Sequence, residues 1–194
     1  MTTNILLCGV GGQGTLLASN LIAECAMAAG FDVKKSEIHG MAQRGGSVVS
    51  HVRFGESIAS PIIRKGEADI VLSFEELEAI RWAEYLKPDG IVITNSQKIL
   101  PMSVSAGNDV YPENIPEILS KSSIQNICVD AAGKAVALGN QKCLNVILLG
   151  VLAKKLTMIE PKLWKEVISN KFANKPAKVS ELNMKAFEAG WAMA

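Results

Sequence analysis

The sequence predicts an α/β fold: a mostly parallel sheet flanked by helices, with a helical C-terminal portion, formed by residues 1–194 as a single domain. Three observations carry that reading. The apolar run Ile5–Cys8 ends in a glycine-rich turn and leads into a helix-periodic stretch. Further short apolar or β-branched runs recur as far as Val129. After Asp130 those strand signals stop and long helical stretches take over.

Ile5 to Cys8 is continuously apolar, as a strand buried on both faces requires. From Thr15 to Ala29 Leu17, Leu21 and Ala28 recur at helical spacing, and Gly30 supplies a stop. Phe31–Val33 restarts as a second strand. Ser47–Phe54, rich in β-branched residues, reads as a third, closed by Gly55. Its short link to the second strand, without a helix between, predicts an antiparallel neighbour. Asp69–Ser73 is a further strand, followed by a helix from about Glu75 to Leu86. Lys87-Pro88-Asp89-Gly90 has the composition of a turn, because Pro presets φ and Gly accepts a positive one. Ile91–Thr94 is the next strand. An irregular strand is expected around Met102–Val104, a short helix over Asn114–Lys121, and the last central strand over Ile124–Val129. Helices are then expected over about 140–156, 160–170 and 180–193, with Pro161 in a first turn, where a missing N–H costs little.

The hydrophobic fraction of 48% and charged fraction of 20% are those of an ordinary globular domain. Lys plus Arg number 20 against 19 Asp plus Glu, and a net charge of +1 gives no electrostatic case for nucleic acid. Cys8, Cys25, Cys128 and Cys143 are scattered without a CxxC or Cys/His cluster, so metal ligation by this chain is not expected and free buried thiols are. The most apolar stretch, Cys143 to Ala153, is too short to span a bilayer. The N-terminus runs straight into the first strand, with no room for a signal peptide, and a cytoplasmic protein is expected.

Two glycine turns carry the chemistry. Gly9, Gly11 and Gly14 satisfy G-x-G-x-x-G between a strand and a helix, with Gly12 and Gln13 inside the turn, and make the fold Rossmann-like. In that pattern the first glycine makes the turn, the second lets backbone approach a phosphate, and the third lets helix and strand pack closely. The helix N-terminus offers unpaired N–H groups to an anion. The glycines equally permit a reading in which they serve close packing only. The second turn, Arg44-Gly45-Gly46-Ser47, adds a guanidinium fork suited to phosphate or carboxylate. Glu37, His39, Met41 and Gln43 precede it as contacts for a ligand or partner; alternatively Arg44 pairs with a local acid such as Glu37. Where a dinucleotide site would place an acid, the chain reads Lys34-Lys35-Ser36-Glu37, which disfavours NAD. No catalytic triad or acid–base pair assembles. Glu75 and Glu76 read as first-turn charges that suit the helix dipole, and Trp82, Trp164 and Trp191 as packing residues.

The run Gly9–Gly14, then Ser36 through His39-Gly40-Met41-Ala42-Gln43-Arg44-Gly45-Gly46-Ser47, resembles the small subunit of 2-oxoacid:ferredoxin oxidoreductases, and its wording resembles the beta subunit of the indolepyruvate (arylpyruvate) branch. Gly66–Asp69, Tyr85–Gly90, and Asn183, Ala186, Phe187 and Gly190 extend the resemblance over essentially the whole chain. The resemblance implies a non-catalytic subunit. A larger partner would carry thiamine diphosphate and iron–sulfur clusters, and the complex would decarboxylate a 2-oxoacid oxidatively, reduce ferredoxin and form an acyl-CoA. This chain would bind no cofactor alone and would contribute surface for coenzyme A or the partner through Gly9, Gly11–Gly14 and Arg44–Ser47.

Two other readings stand beside it: a free-standing nucleotide-binding regulatory module, and an NAD(P)-dependent oxidoreductase acting alone. An obligate subunit should expose a contiguous apolar patch when isolated, with Met41 and Trp82 as candidates. Homodimerisation of the isolated chain is left open.

Overall fold

The computed structural model describes residues 2–39 and 45–194. Its elements follow in order: β1 (Thr2–Val10), α1 (Thr15–Ala28), β2 (Asp32–His39), β3 (Ser47–Gly55), β4 (Ala68–Ser73), α2 (Glu76–Trp82), a 3-10 turn (Ala83–Tyr85), β5 (Leu86–Asn95), α3 (Met102–Ser105), α4 (Ile115–Lys121), β6 (Gln125–Val129), α5 (Ala131–Ala137), a second 3-10 turn (Gln141–Cys143), α6 (Leu144–Lys155), α7 (Pro161–Phe172) and α8 (Ala177–Met193). The six strands form one sheet in the order β2-β3-β1-β4-β5-β6. β1, β4, β5 and β6 pair in parallel. β3 is antiparallel to both β1 and β2, as the short link between the second and third strands predicts.

Alternation along β1 sends its side chains to two cores. Ile5 and Leu7 join Val52, Leu72, Ile93 and the buried faces of α1 and α6. Leu6 and Cys8 join Val49, Val71, Val92 and residues of α2 and α4. α6 is buried from Leu144 through Ala153, because α8 closes over its outer side. That crossing depends on two glycines. A Cβ on Gly150 would stand 2.2 Å from the Phe187 carbonyl oxygen, and one on Gly190 1.8 Å from that of Ile147. Trp164 is fully buried beside Phe187, with ring centroids 6.3 Å apart.

The structure differs from the sequence expectations in several places. β2 runs on to His39 instead of ending at Val33. Lys87–Gly90 lies within β5: Leu86 pairs with Ala68 and Ile91 with Ile70, so the turn-forming residues bulge out of a strand without ending it. Met102–Val104 is helical, part of α3. β6 lies at the edge of the sheet, not its centre. The helix from Glu75 stops at Trp82 and finishes as a 3-10 turn, and the short α5 precedes the turn that opens α6. Cys128 is exposed, whereas Cys8, Cys25 and Cys143 are buried.

Candidate functional site

The two glycine turns meet. β3 pairs with β1 so that Val10 lies opposite Ser47, which brings the exit of one strand to the entrance of the other. Gly11 N–H donates to the Gly46 carbonyl at 2.9 Å, and Gly45 N–H to the Gly11 carbonyl at 3.4 Å. This changes the part expected of Gly11: its N–H is spent on the second turn and is not offered to a phosphate. Gly9 serves close packing, since a Cβ there would lie 2.8 Å from Phe74 Cβ. Gly12 and Gly14 hold φ of 104° and 89°, the left-handed region where glycine carries no Cβ penalty.

Gln13 also turns inward. Its Oε1 accepts from Val10 N at 2.7 Å, while Nε2 donates to the Phe74 carbonyl at 2.9 Å and to Gln97 Oε1 at 3.1 Å. The fully buried Asn95 completes this lattice. Its Nδ2 donates to the same Phe74 carbonyl, and its Oδ1 accepts from Ala131 N and Ala132 N at the start of α5. The first turn is thus tied to the carboxyl ends of β4, β5 and β6. Sequence reasoning passed over Asn95 and Gln97; the available signal was an amide closing the apolar run of β5.

Beside this lattice opens a crevice of about 640 Å³, lined by Gly12–Gly14, Leu17, Gln97, α5 around Gly133, and Gln141, Lys142 and Asn145. α1 begins there with Gly14 as its N-cap, no side-chain cap bond and no acidic residue in its first turn. The first N–H groups of a helix lack partners within the helix and carry its positive dipole end. Lys142 adds a formal positive charge, and the lining residues include no acid. The crevice lies outside the carboxyl ends of parallel strands, where open α/β sheets bind ligands.

The second turn faces a different environment. Gly45, Gly46 and Ser47 line a cavity of about 440 Å³ with Glu75, Glu78, Arg81 and the segment Ile99–Ser103. The Ser47 hydroxyl donates to the Glu78 carboxylate, which also accepts from Arg81 and from Trp82 Nε1 at 3.3 Å. Glu75 caps α2 by accepting from Glu78 N at 3.0 Å, and it holds Tyr111 Oη at 2.5 Å and Ile99 N at 3.0 Å. Burial, reinforced by Glu75, pushes the Tyr111 phenol up. Glu75 at the N-cap and Glu76 in the first turn of α2 stand where first-turn charges were expected, and with Glu78 they are buried, at 1%, 5% and 3% exposed. Desolvation raises the Glu76 carboxyl above its ordinary range. The Ser47 hydroxyl serves this carboxylate network.

Of the remaining candidates, Met41, Gln43 and Arg44 lie outside the described residues. His39 is the last residue of β2. Glu37 pairs with Lys35, which also donates to Asn20, and Lys34 pairs with Asp32 at 2.5 Å. Both lysines are therefore engaged within the chain. Among the described residues no group of three His, Cys, Asp or Glu could hold a metal ion. Burial raises the thiols of Cys8, Cys25 and Cys143, Cys25 to about 12, which suits neutral packing groups rather than thiolate ligands. An iron–sulfur cluster does not fit these residues. No described helix is long and apolar enough to cross a membrane.

Comparison with known proteins agrees with this architecture. The family model for pyruvate ferredoxin/flavodoxin oxidoreductase matches residues 4–193. Indolepyruvate oxidoreductase subunit IorB of Pyrococcus horikoshii is 41% identical over 191 residues, covering 96% of this chain and 93% of that one. The gamma subunit of a keto/oxoacid ferredoxin oxidoreductase from Geobacter sulfurreducens shares the fold, with a TM-score of 0.71 at 22% identity over 99% of this chain and 98% of the other. A 2-oxoglutarate:ferredoxin oxidoreductase from Magnetococcus marinus, solved with 2-oxoglutarate, coenzyme A and succinyl-CoA bound, superposes with a TM-score of 0.78 at 23% identity; all of this chain matches 31% of that one.

Proposed function

The chain belongs to the pyruvate ferredoxin/flavodoxin oxidoreductase family, and from that premise we propose that its crevice at the start of α1 receives the phosphate-bearing part of coenzyme A in an indolepyruvate-type complex. The chain is the small, non-catalytic subunit of a 2-oxoacid:ferredoxin oxidoreductase. In this reading a larger subunit holds thiamine diphosphate and the iron–sulfur clusters, carries out the decarboxylation and passes electrons to ferredoxin. The preference for an aryl 2-oxoacid is supported by the 41% identity to an indolepyruvate oxidoreductase subunit. The match to a subunit over nearly the whole chain counts against a free-standing nucleotide module.

One observation carries the coenzyme A assignment: an uncapped helix N-terminus without first-turn acids opens into a crevice that holds Lys142. Such an end attracts anions, and a lysine beside it adds a charge-assisted hydrogen bond. The test is indolepyruvate-dependent dye reduction by the complex assembled with its large subunit. Lys142→Gln should raise KM for coenzyme A about tenfold or more, the loss of one charged hydrogen bond of about 1.5–3 kcal/mol. KM for indolepyruvate should not move. An unchanged KM for coenzyme A, in a complex that assembles normally, would remove the ligand from this crevice.

A further inference from the structure

We infer that two copies of this chain join edge to edge along β2, in one register, to form a continuous sheet. This inference does not depend on the coenzyme A reading. Among the described residues β2 is the last strand on its side of the sheet. It is eight residues long, contains neither Pro nor Gly, and pairs with β3 without a register shift from Asp32↔Gly55 to His39↔Val48. Edges of this kind are usually blunted by bulges, proline, shortening or unpaired charges; β2 has no bulge, proline or shortening, and its two lysines are each paired with an acid of the same strand. The opposite edge, β6, is only five residues.

The sequence of β2 selects the partner. Two identical sheets that meet around a twofold axis normal to the sheet pair antiparallel and keep corresponding faces on the same side. The axis must therefore pass through a residue position, not between two, or side chains would exchange faces. Centring on Lys35 would set that lysine against its own copy, a like-charge pair directly opposite, which is destabilising. Centring on Ser36 sets Ser36 against Ser36, Lys35 against the second copy's Glu37, and Glu37 against the second copy's Lys35. Two opposite-charge cross-strand pairs then flank two small hydroxyls.

Lys35 and Glu37 are already ion-paired within each copy and half-withdrawn from solvent, their side chains 25% and 19% exposed. Asn20 of α1 holds the same lysine. The four charges of a dimer would alternate around the axis, each flanked by two of opposite sign. Seven residues per copy, Val33 to His39, would take part in the ladder. This complementarity to itself distinguishes a second copy from an unrelated strand, which would meet an edge of mixed charge with no matching order.

The register predicts one cross-link. Directly opposed residues in an antiparallel pair have Cα atoms about 4.5–5.5 Å apart, within disulfide range. In the complex assembled with its large subunit, and with the exposed Cys128 changed to serine, Ser36→Cys should yield a small-subunit dimer on mild oxidation, visible on a non-reducing gel. Lys34→Cys should not, because two copies of position 34 would sit four residues apart along the ladder. Lys35→Glu should weaken the association about tenfold or more by light scattering, and Lys35→Glu/Glu37→Lys should restore it, which guards against misfolding of the single variant. A single small subunit per particle at micromolar concentration, no cross-link at position 36, or release of the large subunit by Lys35→Glu would each overturn the inference.

Discussion

Gly14→Ala tests how tightly the start of α1 is constrained. The backbone there is left-handed, with φ 89° and ψ 25°. The added Cβ would stand 2.5 Å from Asn145 Nδ2 and 3.3 Å from its Cγ. Asn145 is 5% exposed and its Oδ1 accepts from Val146 N at 2.8 Å, so its amide can swing aside only by giving up that bond. A left-handed non-glycine residue costs about 1–2 kcal/mol, and a lost hydrogen bond about 0.5–1.5 kcal/mol. A total near 2–3 kcal/mol should appear in urea unfolding. Gly12→Ala is the control: its φ of 104° imposes the strain, but nothing lies within 4 Å of a Cβ there, so about 1–2 kcal/mol is expected. Asn145→Ala introduced into Gly14→Ala should recover the difference between the two, as a coupling energy. KM for coenzyme A should rise in Gly14→Ala, since the N–H groups of the first turn shift with the helix start. If Gly14→Ala costs no more than Gly12→Ala and leaves that KM alone, the contact with Asn145 does not set the position of the helix end.

Gly190→Ala should destabilise by about 3 kcal/mol or leave the chain insoluble, because the new Cβ meets the Ile147 backbone, which cannot rotate away; urea unfolding decides, and a loss under 1 kcal/mol would show that α6 and α8 can separate freely. Asn95→Ala strips the acceptor from Ala131 N and Ala132 N and should cost about 2–3 kcal/mol, with the thermal midpoint as readout and Asn95→Asp as a partial rescue. His51 accepts from Ile63 N through Nδ1 at 3.1 Å, and burial, with Arg53 nearby, holds its pKa below the ordinary 6.5. Because the folded form binds the proton less readily than the unfolded one, stability should be constant above about pH 6.5 and decline as pH falls below it; a His51→Gln variant should lose that part of the slope, and an unchanged slope would count against a neutral buried imidazole.

Most strands were legible because each is a short apolar run with turn chemistry at its ends. Ile5–Cys8, Asp69–Ser73 and Ile91–Thr94 all lie inside observed strands. The misreadings share one cause: local signals that tertiary pairing overrode. Lys35 to Glu37 look too polar for a strand, yet β3 supplies a full ladder for them. Pro88 and Gly90 look like a stop, yet β4 resumes pairing at Ile91 and leaves them as a bulge. At the site, the glycine spacing located the turn but could not reveal where its hydrogen bonds go. Gly11 bonds to Gly46, far along the chain, and Gln13 bonds to Phe74 and Gln97. Likewise Glu75 was visible as a charge at the start of a helix, but its burial follows from Tyr111 and Ile99 arriving from distant segments.

The reversed direction of β3 explains why the two glycine turns form one structure. β1 spans nine residues, about 30 Å at 3.3–3.4 Å per residue. A third strand parallel to β1 would begin at the far end of it, and the turn before Ser47 would lie that distance from Gly11. Because β3 runs backwards, its first residue sits opposite Val10 and the two turns hydrogen-bond directly. The same reversal requires only a short connection from β2, so β2 is laid down as the outer member of a hairpin and becomes the edge of the sheet. The parallel strands β1, β4 and β5 keep their carboxyl ends together and build the crevice at α1. One reversed strand thus separates the crevice at the carboxyl ends of the parallel strands from the β2 edge of the sheet. A variant that breaks the Lys35–Glu37 pairing should therefore alter assembly while leaving the lattice of Gln13, Asn95 and Gln97 intact.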